Sequence, residues 1–415
     1  MRKIINPALI IGLLSIFTIT VMAQNSTNSP YTRYGYGDLA NRSFGAGRSM
    51  GGVGIGLRSS KQINPLNPAS YSSMDSMTFL FDFGATAQLS WFNDGVNSQN
   101  DVNGNVEYMA MQFPIHKQIA ISTGLLPFSH TGYQFGEVKT SADGLTYTEQ
   151  FNGSGGLNLL YAGLSIDIWK KRLSVGANIN YLFGSSTHAS TTLYYGSANA
   201  TNITNAKKLK LSGATYDFGL QYTQPLSKTD RIVFGLTYSP KIKMNSTSYE
   251  IIENGGESMS DTINNLTYDK PMEYGFGVSY TKTDKFIAAI DLSIQEWNKA
   301  SFAGKSDEFN NRTKIAAGFE YIPNLYSRPY LNRTRYRIGV NYTNSYIKVG
   351  GNGYKEYGAT IGAGFPISDS RSFINVSFEY VKLNAGHKTM IDEEYIRMTL
   401  SYTFNELWFM KRKVD

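Results

Sequence analysis

The sequence predicts an all-β protein: a fourteen-stranded antiparallel transmembrane β-barrel with an N-terminal segment held in its lumen. Three observations carry this. Apolar residues recur at every second position through segments of about 9 to 16 residues, whereas soluble strands average about 5–6. Such segments number fourteen, an even count as in single-chain outer-membrane barrels. The connections between them alternate between short and long.

Composition narrows the classes first. The chain has 415 residues, 40 Gly, 12 Pro, 13% aromatics and no Cys. So many aromatics argue against disorder. The lack of Cys removes disulfide frameworks, Cys-ligated zinc, thiol catalysis and lipid-modified Cys. The net charge of +7 is spread along the chain and gives no sign of a nucleic-acid partner. Mean hydropathy is −0.29, which excludes a helical membrane protein.

Residues 1–23 read as a cleaved secretory signal. Arg2 and Lys3 precede the apolar run Ala8 to Val21, and Val21-Met22-Ala23 stands before Gln24. After it no stretch approaches ~18 apolar residues, so no membrane helix is expected. Residues 24–76 lack the strand period and are assigned to an N-terminal extension and luminal hatch. Residues 77–415 are assigned to the barrel.

The first strand shows the pattern. Phe79, Phe81, Phe83, Ala85, Ala87, Leu89 and Trp91 alternate with Asp82, Gly84, Thr86, Gln88 and Ser90. One face is apolar and the other polar or bare. The fourteen segments are 77–92, 107–115, 118–130, 157–168, 172–184, 212–224, 231–242, 271–281, 285–297, 312–322, 334–346, 356–366, 371–383 and 393–405. Connections such as His116-Lys117 and Lys282–Asp284 are short. Residues 93–106, 131–156, 185–211, 243–270 and 298–311 are read as long extracellular loops, rich in Asn, Gly and Ser. The 323–333 connection departs from the alternation.

The inward face is rich in Gly, which is kept where something approaches a strand backbone closely. Fourteen strands enclose more space than their side chains fill, so residues 24–76 are placed inside. Charges screened from water need partners. The expected hatch–barrel ion pairs draw on Arg48 and Arg58 with Asp82, Asp167, Asp217 and Asp291.

Catalytic motifs fail on context. Gly47-Arg48-Ser49-Met50-Gly51 satisfies G-x-S-x-G, but no strand precedes it and no helix follows in an α/β fold. The four His are isolated and show no metal spacing. Asp101–Asn105 starts like a calcium loop but lacks the sixth-position Gly. No enzyme activity, cofactor or metal is expected.

At Ala46–Ala69 a stretch of small residues with Arg and Met-Gly-Gly leads to Asn67-Pro68-Ala69. With Gly124–Phe128, Gly235–Pro240 and Tyr274–Trp297, it resembles the FadL family of outer-membrane transporters for hydrophobic compounds. The resemblance spans nearly the whole mature chain. It implies a hatch carrying the Asn-Pro-Ala motif and a lateral exit at a kinked third strand. Residues 24–44 extend beyond the usual hatch, and the terminal aromatic common in such barrels is replaced by Phe404 or Phe409.

The expectation is thus an outer-membrane channel, monomeric and embedded in outer-membrane lipid. It would take up hydrophobic small molecules, long-chain fatty acid-like, without energy input. Gly124 and Pro127 would bend the third strand, with Asn67, Pro68 and Ala69 beside it holding the kink. Leu126, Phe128, Leu182 and Trp297 are the candidate pocket. The alternative is a FadL-like barrel serving as a protein-secretion or surface-attachment partner. A continuous apolar tunnel would favour transport, and a closed polar interior a partner role.

Overall fold

The computed structural model describes residues 26–141, 144–169, 172–194, 201–367, 371–387 and 390–408. The expected secretory signal and Phe409 lie outside them. The chain forms a closed antiparallel barrel of fourteen strands. They are β1 (Thr78–Asn93), β2 (Ser98–His116), β3 (Ile119–Thr140), β4 (Thr146–Trp169), β5 (Leu173–Tyr194) and β6 (Ile203–Pro225). Then come β7 (Asp230–Ser239, resumed over Ile242–Asn254) and β8 (Glu257–Ile263, Tyr268–Lys270 and Glu273–Lys282). The wall finishes with β9 (Phe286–Gln295), β10 (Arg312–Tyr321), β11 (Arg335–Asn344), β12 (Lys355–Pro366), β13 (Phe373–Asn384) and β14 (Asp392–Leu407). Strand β7 is broken at Pro240, which has no N–H for the ladder. Its two parts pair with two stretches of the same β6. β14 pairs with β1 and closes the wall.

Side-chain placement is inverted relative to a soluble core. Ile179, Ile338, Val340 and Ile361 are among the exposed residues, whereas Asp82, Asn178, Thr215 and Gln221 are buried. Only a wall standing in lipid with its backbone groups paired around a ring satisfies both. Trp91, Tyr181, Tyr238 and Tyr357 are exposed toward the long-connection end, with Tyr342 half-buried beside Tyr357. Tyr280, Tyr321 and Tyr336 serve the short-turn end, as aromatic girdles do.

Several expected loops are strand. β2 begins at Ser98 rather than 107, β3 runs to Thr140, and β4 and β6 start at Thr146 and Ile203. Most of the stretches read as loops over 131–156, 185–211 and 243–270 therefore pair in the ladder. These extensions mix polar residues such as Thr187, Lys208 and Thr247 with a few buried apolar ones such as Tyr133 and Leu211, so the strict apolar alternation ends while backbone pairing continues.

Residues 26–76 pack against the inner face. They contain the 3-10 turns Pro30–Arg33 and Pro68–Ser73, a short strand Asp38–Leu39 and a helical turn Gly45–Arg48. A Cβ on Gly235 would collide with the Ile55 carbonyl, and one on Gly339 with the backbone of Met50 and Gly51. The glycines of the wall thus form a track on which this segment lies.

Candidate functional site

The site grows from one interruption in the wall. β3 pairs with β2 from Ala120 up to Leu125, opposite Met109, and the ladder between them ends there. Gly124 is still paired, and a Cβ on it would meet Ala110, the Met109 carbonyl and the Tyr161 ring. It is a packing position rather than the bend. The bend follows at Pro127. Opposite β4, Pro127 faces Asn158 and Ser129 faces Leu157, leaving Phe128 as an extra residue. Such a bulge bends its strand, and Pro127 lacks a ladder donor. Leu126 and Pro127 are buried while Leu125 is exposed, so the strand turns into the lumen here. Gly156 of β4, at φ +150, follows the bend in a conformation that favours glycine.

The freed edge of β3 takes backbone partners from the luminal segment. Asp38 and Leu39 pair with His130 and Ser129. Ala40 N–H donates to the Phe128 carbonyl at 3.0 Å. Gly132 N–H donates to Thr32 Oγ1 at 3.1 Å.

Asn67 does not perform this task. Its amide donates to the Ile55 carbonyl at 2.8 Å and reaches Leu220 and Leu236 carbonyls on β6 and β7. Its Oδ1 accepts from Ala69 N–H at 3.1 Å and caps the Pro68–Ser73 turn. Pro68 and Ala69 lie against Gly176 and Gly219, where no side chain blocks them. The expected place beside the third strand is therefore corrected to β5–β7. The physical reason is that an edge of successive N–H and C=O groups is matched better by main chain than by one side-chain amide.

The four candidate pocket residues pack against the chain itself. The Trp297 ring lies 4.5 Å from Tyr346, 5.4 Å from Tyr36 and 5.9 Å from Phe309 between centroids. Its Nε1–H donates to Gln295 Oε1 at 2.9 Å. Leu126 and Leu182 are buried in the same apolar cluster, which includes Tyr31, Phe44 and Tyr71 from the luminal segment. Of the four, only Phe128 reaches the luminal cavity, of about 130 Å³. That cavity is lined largely by polar and charged groups, among them Arg42, Arg48, Lys314, Arg397, Glu273 and Glu379.

The ion pairs fall partly on the expected residues. Arg58 meets Asp167 at 2.7 Å, and Ser72 donates to the same carboxylate oxygen at 2.8 Å. Arg48 pairs instead with Glu107, at 2.8 Å. Asp217 lies 4.0 Å from Arg42 and 3.9 Å from Lys270. Among the described residues Asp291 meets no base within ion-pairing distance; it accepts the N–H groups of Gly54, Ile55 and Gly56 at 2.6, 2.7 and 3.3 Å. Asp82 accepts from Thr403 Oγ1 at 3.0 Å. The two carboxylates depart from the expectation because backbone and hydroxyl donors reach them before any side-chain cation. Sequence reasoning missed Glu107 and Glu273, the partners of Arg48 and Arg42. Glu107 is the extra residue of a bulge, between Tyr108 opposite Gly84 and Val106 opposite Ala85; the strand period alone would have placed it outward. Glu273, 2.8 Å from Arg42, holds that guanidinium above its ordinary pKa. Burial raises the Tyr36 hydroxyl, which donates to the Asp269 carbonyl at 3.0 Å.

The G-x-S-x-G and calcium-loop matches have structural partners instead. Ser49 is buried, and its Oγ donates to the Gly45 carbonyl at 3.4 Å. Asp101 accepts the Asn28 side-chain amide. Among the described residues no group of three His, Cys, Asp or Glu gathers as metal ligands.

The model of the BamG family matches residues 1–415. The chain belongs to the BamG family. No curated protein sequence matches this BamG-family chain. Its fold is that of FadL-type channels. Similar solved structures include the CymD monoaromatic hydrocarbon channel, 14% identical over 87% of this chain and 97% of that one, with a TM-score of 0.58. The Ralstonia pickettii toluene transporter TbuX is 14% identical over 87% and 98%, also at 0.58. A Pseudomonas aeruginosa FadL homologue is 12% identical over 88% and 99%, again at 0.58. At these identities the likeness concerns the fold. The resemblance to FadL is thus one of architecture, and the family is BamG.

Proposed function

We propose that this chain is an outer-membrane barrel of FadL architecture whose interior is sealed by its own N-terminal hatch, and that it works by binding another exported protein. One observation carries the reading: the apolar part of the lumen is filled by Tyr36, Phe44, Tyr71 and Trp297, and what remains open is charged. An apolar solute entering such a chamber loses its water shell and gains no apolar surface in return. The hatch also satisfies the β3 edge, which would otherwise stand unpaired at membrane depth. The test is transport by the purified barrel in lipid vesicles, using a fluorescent fatty acid and toluene. The expected rate equals that of protein-free vesicles, while the protein taken from its own membrane migrates as a complex larger than one chain. Rapid uptake by the unaltered protein overturns the reading.

A second reading is favoured by the end of the β2–β3 ladder and by neighbours named as toluene and monoaromatic hydrocarbon channels. In it, withdrawal of residues 32–40 opens a lateral path for hydrophobic small molecules past Phe128. Ala40→Pro, which removes the N–H that donates to the Phe128 carbonyl, should then raise uptake of the same probes.

A further inference from the structure

At the short-turn end, where most connections are tight, the stretch from Ile322 to Thr334 between β10 and β11 is long. It is also ordered from within. Asn324 N–H donates to the Asn332 carbonyl at 2.8 Å, and the Asn332 amide donates to Ser327 Oγ at 3.0 Å. It is tied to its neighbours as well. The Tyr326 hydroxyl donates to Asp284 Oδ2 at 2.9 Å, Tyr330 to the Pro366 carbonyl at 2.9 Å, and Lys285 Nζ to the Pro323 carbonyl at 3.1 Å.

On this braced loop the apolar side chains face outward. Tyr326 is 84% exposed and Leu331 63%. Arg328 and Arg333 flank them, and neither meets an acid within ion-pairing distance among the described residues. The nearby carboxylates are occupied: Glu320 is held by Arg335 and Arg337 at 2.8 and 2.7 Å. Bracing without shielding lowers the entropy cost of binding. Tyr and Arg are the residue types that dominate binding energy at interfaces.

A membrane-interface aromatic is the competing role for Tyr326. The girdle at this end is already supplied by Tyr321 and Tyr336, which face each other on the last rung of the β10–β11 ladder. Tyr326 lies beyond that rung, with its hydroxyl on the β8–β9 turn. We infer that the 322–334 loop is a periplasmic docking knob for a protein that offers an apolar pocket rimmed by carboxylates. The inference rests on the partner-binding reading above and assigns that partner a face and a chemistry.

The experiment places a photo-crosslinking amino acid at position 326 of the full chain in its own outer membrane, with a control at lipid-facing Ile361. A protein adduct is expected at 326 and not at 361. Its cross-linked peptide, mapped by mass spectrometry, should carry clustered Asp or Glu. Arg328→Glu with Arg333→Glu should reduce the adduct about tenfold or more, as loss of interface hot spots does. Leu331→Ala should weaken it with no charge change, and heat-modifiable migration should show both barrels folded. Adducts only with lipid, no adduct, or a protein adduct indifferent to charge reversal overturns the knob. If the larger complex persists in the knob variants and vesicles stay impermeable, the knob fails while the partner reading stands. Solute uptake by the unaltered barrel removes that reading itself.

Discussion

The two halves of the wall differ in height. On one side β3, β4, β5 and β6 have 22, 24, 22 and 23 residues, and on the other β9, β10 and β11 have 10 each. The low half ends near its outer tyrosines, with Tyr342 two residues before the last residue of β11. The tall half continues from Tyr181 to Tyr194. Above the low half, connections fold inward instead: Trp297, Phe302, Phe309 and Tyr346 form a roof over Tyr36. One half meets the exterior with a raised sheet and the other with a lid. The difference teaches that strand length and membrane thickness are separate quantities here. Lipid sets the height of the apolar face, and backbone pairing alone carries the rest.

The comparison can be broken most severely at the contact that ties the hatch to the wall. Arg58→Ala leaves Asp167 buried without its cation, at a cost of about 3–5 kcal/mol. Urea unfolding in detergent micelles should show it, and Arg58→Lys should recover part. The next effect separates the two environments directly. Ile179 and Val138 are similarly exposed, at 62% and 68%. Ile179→Arg should cost ~2–4 kcal/mol because it faces lipid. Val138→Arg, on the raised sheet, should cost ~0.5 kcal/mol or less. Equal losses would mean that the extension is itself in the membrane. Arg at inward Asn178, which is buried and accepts the Tyr71 hydroxyl at 3.0 Å, should cost at least as much as at Ile179, and a harmless change there would mark a wrong register. The smallest effect belongs to the rim. An epitope inserted at Asn264 should be labelled on intact cells with barrel yield unchanged, and one inserted beside Asp284 should not be labelled.

How much of this the sequence disclosed follows from the same contrast. Ile179, Leu220 and Phe378 were legible because lipid demands apolar residues on one face. Thr187, Lys208 and Thr247 pair in the raised sheet with water on both sides, so no alternation marks them. The glycines of the track announced an occupant, yet its path was not legible. The Asn67-Pro68 turn and the β3 bend are each legible locally, whereas the seat of Asn67 on β6 and β7 depends on where Gly219 and Gly176 come to lie. The inward, apolar character of Leu126, Leu182 and Trp297 is legible in the sequence. That they are covered by Tyr36, Tyr71 and Phe44 depends on contacts distant in the sequence.

The glycine track has a consequence for how the molecule is made. Met50, Ile55 and Pro68 press on β11, β7 and β5 at points where no side chain intervenes. These contacts lie on strands scattered around the ring, and the occupant leads directly into β1. Filling and wall are therefore shaped to each other all round the ring, as a mould and its core are, and neither keeps this backbone-on-backbone fit without the other.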